Sequence, residues 1–416
     1  MRVLIVSQYF WPESFIINQV AEELARQGHQ LTVLTGKPNY PDGEIYQGYQ
    51  QRGTVHEKVG EIEVIRVPLR PRSSADAKAL LLNYLSFIWS GLTRFPSLLK
   101  GREYDAVLVF APSPITSAIP AIPIKYLKHA HLAVWVQDLW PESLSATGFI
   151  KNKSVLKLVR YLVKGIYAAS DTLLVQSQAF ANPIAELTKQ EKIHYFPNVI
   201  NDMLEKKSEI DIDKIPKELI EYLERYFCLV FAGNIGKAQS IKTLIDTAEK
   251  LVILSDVRIV MVGAGSELAW AKSEVKKRAL QNILFTGSFS IEAMPTIFRR
   301  AEALLVSLNA QPIFSYTIPS KVQAYMSAGR PIMASINGEA ARVIREAKAG
   351  LTSPAEDAEG LAGQITRLFE MPEQDRDIMA TNSRQYFLEN FEMSQQCENL
   401  IRLLEQRIDQ KSVLSK

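Results

Sequence analysis

The stretch Phe231-Ala232-Gly233-Asn234-Ile235-Gly236-Lys237-Ala238-Gln239-Ser240 joins a short apolar run to an amphipathic helical pattern. The run Cys228–Ala232 has the composition of a buried parallel strand, and Ile241–Leu254 has the pattern of a helix packed on a sheet. Glycines at such a junction let the backbone approach a ligand closely, and the helix start offers unpaired N–H groups to an anion. A phosphate site and an ordinary strand-to-helix turn both fit this pattern. The candidate phosphate contacts are Gly233, Asn234, Gly236, Lys237 and Gln239.

The same alternation of strand and helix extends over most of the chain. Downstream, strands are predicted at Arg258–Val262, Ile283–Thr286, Ala303–Ser307 and Pro331–Ser335, with helices at Glu267–Ala279, Ile291–Arg299 and Lys321–Ala328. Upstream, strands are predicted at Arg2–Ser7, Gln30–Thr35, Ile62–Val67, Asp105–Phe110, His131–Gln137, Thr172–Ser177 and Lys192–Pro197. This alternation predicts an α/β fold of two Rossmann-like, doubly wound domains. Ligands of such domains bind at the carboxyl ends of the strands, so we expect a deep cleft between the two.

Length and composition suggest the boundaries of these domains. A chain of 416 residues is too long for one ordinary core and suits two domains. We predict a first domain over 1–200, a charged linker over 201–226 and a second domain over 227–394, with a C-terminal helix over 395–412 that packs back on the first. The two cysteines lie far apart and favour a reducing compartment. The N-terminus lacks the pattern of a signal peptide, and no uncharged stretch reaches the ~20 residues of a membrane span, so we expect a cytoplasmic protein.

Two further segments of the second domain suit a nucleotide. Val262-Gly263-Ala264-Gly265-Ser266-Glu267 resembles the start of a dinucleotide fingerprint but lacks the third glycine. We interpret Gly263 and Gly265 as a turn at the cleft edge that contacts the ribose or the base. A helix begins near Ser320, and its first turn, with Lys321, suits an anion. Two such helix starts in one domain favour a diphosphate.

The first domain carries aromatic and acidic residues where strands end. Gln8-Tyr9-Phe10-Trp11-Pro12-Glu13 follows the first strand, and its aromatic rings suggest stacking on a sugar, although Trp11 fits a core position equally well. Asp138 and Glu142 follow a later strand. A carboxylate there would orient or deprotonate an acceptor hydroxyl. The alternative is a helix start with Pro141 near its first position.

Together these segments resemble the GT-B fold glycosyltransferases of family 4. The resemblance is narrower to a bacterial surface-polysaccharide subgroup that includes L-fucosamine and colanic-acid transferases. The segments that carry it are Val6-Ser7-Gln8-Tyr9-Phe10-Trp11-Pro12-Glu13, Gln137-Asp138-Leu139-Trp140-Pro141, Gly233-Asn234-Ile235-Gly236 with Gln239, and Pro319-Ser320-Lys321 through Gly329-Arg330-Pro331. It implies a retaining, metal-independent transfer from a UDP-sugar, with UDP-N-acetyl-L-fucosamine as a candidate. The implied acceptor is a glycan on polyprenyl diphosphate, and no cofactor beyond the donor substrate is expected.

The candidate site residues form three groups. Donor diphosphate and nucleotide contacts are assigned to Gly233, Asn234, Gly236, Lys237, Gln239, Gly263, Gly265, Gly287, Ser320, Lys321 and Gln323. Donor sugar or acceptor contacts are assigned to Trp11, Glu13, Asn18, Ser315, Tyr316 and Glu339. Catalytic roles are assigned to Asp138 and Glu142, and no metal ligand is expected.

The chain departs from the family pattern at five positions, one of which is Gln137, where members often carry a histidine. Asn234 and Gln239 stand where many members carry an Arg and a Lys in the first phosphate loop. Tyr316 and Ala324 stand where members carry paired glutamates. The donor phosphates must then be met by backbone amides, Lys237, Lys321 and a basic residue of the other domain, and ribose contact by a glutamate does not carry over.

One segment of the first domain is both apolar and bordered by cations. Ala79–Pro96 is flanked by Lys78 and Arg94, and its uncharged core is too short to span a bilayer. From Arg66 to Lys164 the chain carries fourteen Lys and Arg residues against five Asp and Glu residues. A helix lying in the interface of the cytoplasmic membrane fits these features. A helix buried against the sheet, beside a merely solvated basic surface, is the alternative.

Three rival functions remain open at this stage. A nucleotide-sugar epimerase of the same two-domain shape would release UDP or an altered sugar without an acceptor. A nicotinamide-dependent dehydrogenase is disfavoured, because aromatic residues and not glycines follow the first strand. A non-catalytic membrane scaffold would bind lipid but not UDP. Nothing in the sequence suggests binding to nucleic acid.

Overall fold

The computed structural model describes residues 1–72, 77–146, 150–204 and 215–414. It divides into two compact units. The first unit comprises Met1–Asn198 together with Met393–Lys416, and the second comprises Val199–Glu392. Residues 205–214 of the predicted linker lie outside the described ranges, and the linker segment after them contains a helix, α7 (Lys217–Arg225).

The first unit is a sheet with helices on both faces. Its strands are β1 (Arg2–Ser7), β2 (Gln30–Gly36), β3 (Val55–Val59), β4 (Ile62–Val67), β5 (Ala106–Ala111), β6 (His131–Val136), β7 (Thr172–Val175) and β8 (Ile193–Tyr195). Its helices are α1 (Ile16–Arg26), α2 (Ala77–Leu98), α3 (Ala121–Lys128), α4 (Glu142–Ala146), α5 (Lys153–Ala169), α6 (Ala181–Ala185) and α15 (Met393–Leu414). The strand order is β3-β4-β2-β1-β5-β6-β7-β8, and the pairs are parallel except for β3 with β4.

The second unit repeats this architecture on a smaller sheet. After α7, its strands are β9 (Phe227–Ala232), β10 (Val257–Val262), β11 (Ile283–Gly287), β12 (Ala303–Ser307), β13 (Ile332–Ser335) and β14 (Gly350–Ser353). Its other helices are α8 (Ile241–Lys250), α9 (Leu268–Lys277), α10 (Met294–Arg300), α11 (Ser320–Ser327), α12 (Gly338–Glu346), α13 (Ala358–Glu370) and α14 (Glu373–Asn390). The strand order is β11-β10-β9-β12-β13-β14, with every pair parallel.

The apolar runs of the sequence become the centres of the two sheets. Every residue of β5 and β6 is buried, because helices cover both faces of these strands. The predicted strands are confirmed, with ends that differ by a few residues. The prediction missed β3, whose residues alternate between half-buried and exposed at the sheet edge, and the short strand β14. Neither segment carries the apolar run that marks a buried strand.

Each sheet has a point where the chain reverses the direction in which strands are added. In the first unit this point lies between β1 and β5, and in the second between β9 and β12. At this point, the loops that follow the two central strands run to opposite faces of the sheet. The crevice between such loops is where ligands of these sheets bind. The loop after β9 and the helix after β12 are the two segments predicted to hold a diphosphate.

A buried ion pair ties the start of the second unit to α14. Asp202 accepts hydrogen bonds from Arg384 Nη1 at 2.6 Å, from Ser327 Oγ at 3.2 Å and from the Leu204 amide at 2.9 Å. The Asp202 side chain is only 2% exposed. Removal of the arginine would therefore leave a buried carboxylate without its counter-charge.

We expect Arg384→Ala to lower the free energy of unfolding by about 3–5 kcal/mol, because an uncompensated buried charge costs that much. Urea denaturation followed by circular dichroism measures the change. Lys250→Ala is the matched control, and we expect a much smaller loss from it, since its partner Glu359 is largely exposed and an exposed ion pair contributes little to stability. Equal effects of the two substitutions would contradict the prediction.

Candidate functional site

The two segments predicted to bind a diphosphate meet at the carboxyl end of β9. Lys321, in the first turn of α11, places Nζ 3.7 Å from the centroid of the Phe231 ring. The same Nζ donates a hydrogen bond to Gln239 Oε1 at 2.6 Å. A Cβ atom on Gly233 would lie 3.0 Å from Cε of Lys321, so the glycine leaves room for the lysine stem. An ammonium group from one strand–helix unit is thus held against the glycine loop of another.

Lys321 has capacity left for an anion. An ammonium offers three donors, and among the described residues its hydrogen-bond partner is the neutral amide of Gln239. No described carboxylate forms an ion pair with it. Burial lowers the pKa of Lys321 to about 7, because removal from water disfavours the charged form. A phosphate that approached Nζ would restore the charge and supply the missing acceptor.

The second glycine segment supports the first loop directly. The Ile235 amide donates to the Ala264 carbonyl at 2.8 Å, and the Gly233 amide donates to the Val262 carbonyl at 2.9 Å. A Cβ on Gly263 would lie 1.9 Å from the Gly233 carbonyl oxygen, so only glycine permits this approach. Contact with the first loop therefore accounts for the glycine at 263 without a ligand.

The other candidates of the second unit differ in exposure. Asn234, Lys237, Gly287, Tyr316 and Ser320 are exposed. Gly236 and Gln323 are buried, and Ser315 is half-buried. Glu339 is buried at the start of α12, where its carboxylate pairs with Arg342 at 2.8 Å on the same helix. That pairing leaves Glu339 less suited to a sugar than the sequence suggested.

In the first unit, Glu13 holds two loops together. Its carboxylate accepts hydrogen bonds from the amides of Phe10 at 3.2 Å, Asn39 at 2.8 Å and Tyr40 at 2.8 Å. Burial raises the pKa of Glu13 to about 7, against the lowering effect of these hydrogen bonds. The carboxylate that was assigned to a sugar is thus occupied by the backbone of the loops after β1 and β2.

Asn18 braces the same loop from α1. Its side chain accepts from the Trp11 amide at 3.0 Å and donates to the Glu13 carbonyl at 2.7 Å. The Trp11 ring is 44% exposed, so it is not a core residue and remains available for stacking. The structure therefore separates these candidates into one exposed ring and two residues that fix its loop.

Asp138 and Glu142 lie in different surroundings. Asp138 is half-buried after β6, and Trp140 Nε1 donates to its carboxylate at 3.3 Å. Burial raises the pKa of Asp138, with hydrogen bonds from Ser143 and Trp140 opposing the shift. Glu142 is exposed and lies 3.6 Å from Arg160 Nη1. A raised pKa suits proton transfer at neutral pH, so Asp138 has the chemistry expected of a general base.

The sequence analysis missed residues that lie near Asp138 or over the Tyr40 ring. The hydroxyl of Ser113, after β5, hydrogen-bonds the Asp138 carboxylate, and the charge of Asp138 acts on the Tyr84 hydroxyl of α2. Arg72, after β4, lies over the Tyr40 ring. Each of these residues follows a strand or lies on α2. Position after a strand was the available signal, but no motif distinguished them from ordinary loop residues.

Comparison with known families matches each unit separately. Residues 15–199 match the family described as glycosyl transferase 4-like domain, and residues 227–371 match the family described as glycosyl transferases group 1. Together the two matches cover most of the chain.

Two Escherichia coli proteins and one crystal structure illustrate the similarity. WcaI of strain K12, named as a colanic acid biosynthesis glycosyl transferase, is 23% identical over 79% of this chain and 82% of its own length. O-antigen chain mannosyltransferase C is 21% identical over 99% of this chain and 100% of its own. HepE of Anabaena, solved in complex with UDP, has a TM-score of 0.65 and 12% identity, and the match covers 98% of this chain and 100% of that one.

The approach of the two glycine loops gives a stability prediction. We expect Gly263→Ala to destabilise the protein by several kcal/mol, because its Cβ would overlap the Gly233 carbonyl. Gly60→Ala is the matched control, since its φ is also positive but nothing lies within 4 Å of the added Cβ. The control should cost only the ~1 kcal/mol of backbone strain. Urea denaturation measures both, and similar losses would show that the loop contact contributes little.

Proposed function

Because this chain belongs to the group 1 glycosyl transferases and has their GT-B fold, we propose that it moves a sugar from a UDP-sugar to a polyprenyl-diphosphate-linked glycan. The proposed process is the assembly of a bacterial surface polysaccharide such as O-antigen, capsule or exopolysaccharide. The observation that carries the proposal is the position of Lys321 against the Gly233 loop, where no carboxylate of the described residues forms an ion pair with its ammonium. The names of the two E. coli relatives support the process, and the UDP bound to HepE supports the nucleotide.

In the proposed reaction, the second unit binds the donor and stabilises its leaving group. The amides at the start of α11 and the ammonium of Lys321 would meet the diphosphate, with Lys237 exposed nearby on the loop. Negative charge grows on this diphosphate as the bond to the sugar breaks, so groups fixed around it lower the barrier. We propose that the transfer is metal-independent and retains the anomeric configuration, as the family resemblance implies.

The first unit would bind and orient the acceptor. Asp138 lies at the carboxyl end of β6 with a raised pKa, which suits it to orient an acceptor hydroxyl and to receive its proton. The exposed ring of Trp11 would stack on a sugar at the same edge. Glu13 and Asn18 would act through the loop that carries this ring.

For the donor sugar we propose UDP-N-acetyl-L-fucosamine, on the resemblance to the L-fucosamine transferase subgroup. The mannosyltransferase relative favours a mannose donor as the second candidate, because it aligns over nearly the whole chain. Incubation with a panel of UDP- and GDP-sugars separates the two. Turnover with another sugar and none with UDP-N-acetyl-L-fucosamine would remove the first candidate.

We also propose that the first unit docks on the cytoplasmic face of the membrane. Successive turns of α2 expose Leu81, Leu85, Trp89 and Leu92, while Phe87 and Phe95 of the same helix are buried in the core. The helix thus has one face packed in the core and one exposed apolar face. Among the described residues, no helix is long and apolar enough to cross a bilayer.

A second helix presents a similar surface. Along α5, Leu158, Tyr161 and Leu162 are exposed, and Lys157 and Lys164 are exposed on the same helix. No acidic residue occurs between Lys153 and Ala169. Helices α2 and α5 both pack on the 3-10 turn Ile115–Ala118, so they lie on the same face of the sheet. Apolar side chains bordered by cations are the pattern of a helix that binds an anionic lipid surface.

The donor proposal predicts binding of UDP without added metal. We expect UDP, but not GDP or NAD, to raise the melting temperature, and we expect Lys321→Met to weaken UDP binding at least tenfold, since a charge-assisted hydrogen bond contributes about 1.5–3 kcal/mol. Titration calorimetry measures the affinity. Lys277→Met on α9 is the exposed control and should leave it unchanged. No response to any nucleotide would remove the transferase proposal and favour a membrane scaffold, and release of UDP without an acceptor would favour an epimerase.

The lowered pKa of Lys321 predicts a pH dependence of UDP binding. The unliganded ammonium loses its proton near pH 7, and a bound diphosphate raises that pKa, so binding takes up a proton above pH 7. We therefore expect UDP affinity to fall by up to about tenfold per pH unit above 7. Lys321→Met should show only the titration of the ligand itself. Parallel pH profiles of the two proteins would contradict the assignment.

The membrane proposal predicts binding to anionic vesicles. We expect the protein to sediment with phosphatidylglycerol vesicles and not with phosphatidylcholine vesicles, and to dissociate as salt rises, because the cations are screened. Trp89→Glu should lower the partition coefficient at least tenfold, since its ring is 70% exposed on α2. Ile253→Glu, an exposed apolar residue of the second unit, is the control. Equal partitioning of both variants would count against α2.

A further inference from the structure

A half-buried arginine lies among tyrosines at the carboxyl edge of the first-unit sheet. Arg72 places Cζ 5.4 Å from the centroid of the Tyr40 ring, and Tyr40 in turn packs on Tyr9 with 5.6 Å between ring centroids. The charge of Arg72 acts on the hydroxyls of Tyr9 and Tyr84. These residues follow β4, β2 and β1 or belong to α2, so four separate elements converge on one guanidinium.

No described carboxylate matches the charge of Arg72. Among the described residues, none of the carboxylate oxygens lies within ion-pair distance of its guanidinium, whereas the neighbouring Arg66 pairs with Glu57 at 2.6 Å. A guanidinium carries five donors in a planar fork that fits two oxygens of a phosphate. Phenol hydroxyls beside it add further donors. The group is therefore suited to an oxyanion that the part of the chain described by the structure does not supply.

Helix α2 joins this cluster to the exposed apolar surface. Tyr84 is half-buried beside the cluster, and the buried Asn83 donates to the Arg70 carbonyl at 2.6 Å, which ties the helix to the segment that carries Arg72. On the same helix, Leu81 lies two residues before Asn83 and Leu85 directly follows Tyr84, and both are exposed. An anion held at Arg72 would therefore lie next to a surface suited to hydrocarbon.

We propose that Arg72, with the hydroxyls of Tyr9 and Tyr84, binds the diphosphate of a prenyl-diphosphate acceptor, and that the exposed face of α2 receives the adjoining hydrocarbon chain. In such a ligand the diphosphate is attached directly to a hydrocarbon, so the diphosphate would contact Arg72 while the hydrocarbon contacts α2. The inference deepens the proposed function and rests on it for the identity of the acceptor. The donor diphosphate is assigned to Lys321 in the second unit, so the two diphosphates have different binding residues.

Farnesyl diphosphate tests this site without knowledge of the acceptor glycan. Titration calorimetry on the full chain, with UDP present at saturation to occupy the second unit, compares farnesyl diphosphate with farnesol and with inorganic diphosphate. We expect farnesyl diphosphate to bind more tightly than either part alone. Arg72→Gln should weaken farnesyl diphosphate at least tenfold and leave farnesol and UDP unchanged. Arg72→Lys keeps the charge without the planar fork, so its affinity for farnesyl diphosphate should lie between those of the unsubstituted protein and Arg72→Gln.

Two controls distinguish a built site from general positive charge. Arg70→Gln removes the same charge from an exposed side chain two residues away and should leave the affinity for farnesyl diphosphate unchanged. Partitioning onto phosphatidylglycerol vesicles should also be unchanged in Arg72→Gln, which separates the diphosphate from a bilayer headgroup. Equal losses in the two glutamine variants, or loss of farnesyl diphosphate only in Lys321→Met, would overturn the proposal.

The outcome also separates this inference from the function on which it rests. If UDP binds but farnesyl diphosphate does not, the Arg72 site is wrong while the transferase proposal stands. If neither UDP nor farnesyl diphosphate binds to the folded protein, and neither changes its melting temperature, the proposed function fails together with the Arg72 site.

Discussion

The approach of two loop backbones, at Gly233 and Gly263, is the constraint on which the second unit's site depends. The Ile235 and Gly233 amides bond to carbonyls of the β10 end, so the first loop has a fixed position relative to the sheet. With the loop fixed, the stem of Lys321 fits beside Gly233, and its ammonium reaches Gln239. The position of the Lys321 ammonium thus depends on close packing that only glycine allows at these two places.

The two units use the same means to keep a cation available. Lys321 lies against the Phe231 ring and Arg72 against the Tyr40 ring, each at the carboxyl edge of its own sheet. An aromatic face stabilises a cation by its quadrupole without neutralising it. A carboxylate in the same place would hold the cation more strongly but would compete with a ligand anion. An aromatic partner without a carboxylate therefore leaves the cation available to a phosphate, whereas the charge of Arg66, which also lies over the Tyr49 ring, is matched by Glu57.

The sequence predicted the sheets well because their signal is local, and it predicted the site only in part because its contacts are not. Apolar runs bounded by turns identified the central strands, whereas β3 has polar, half-exposed residues at an edge and gave no such signal. The glycine loop and Lys321 were recognisable as anion-binding chemistry. The occupation of Glu13 by three backbone amides, and the convergence of Arg72 with three tyrosines, depend on loops from different strands. The spacing of residues along the chain does not predict such contacts between loops.

The departure at Gln239 follows from the same geometry. Many family members carry a lysine at this place, as the resemblance implies, and a second ammonium 2.6 Å from Lys321 would repel it. A carboxylate there would neutralise Lys321 and remove its affinity for phosphate. An amide oxygen accepts one hydrogen bond, fixes the direction of Nζ and leaves the net charge in place. Lys321 of α11 supplies a positive charge at this point of the sheet, because the glycine at 233 leaves room for its stem. The loss of a family residue is thus compatible with retention of its role.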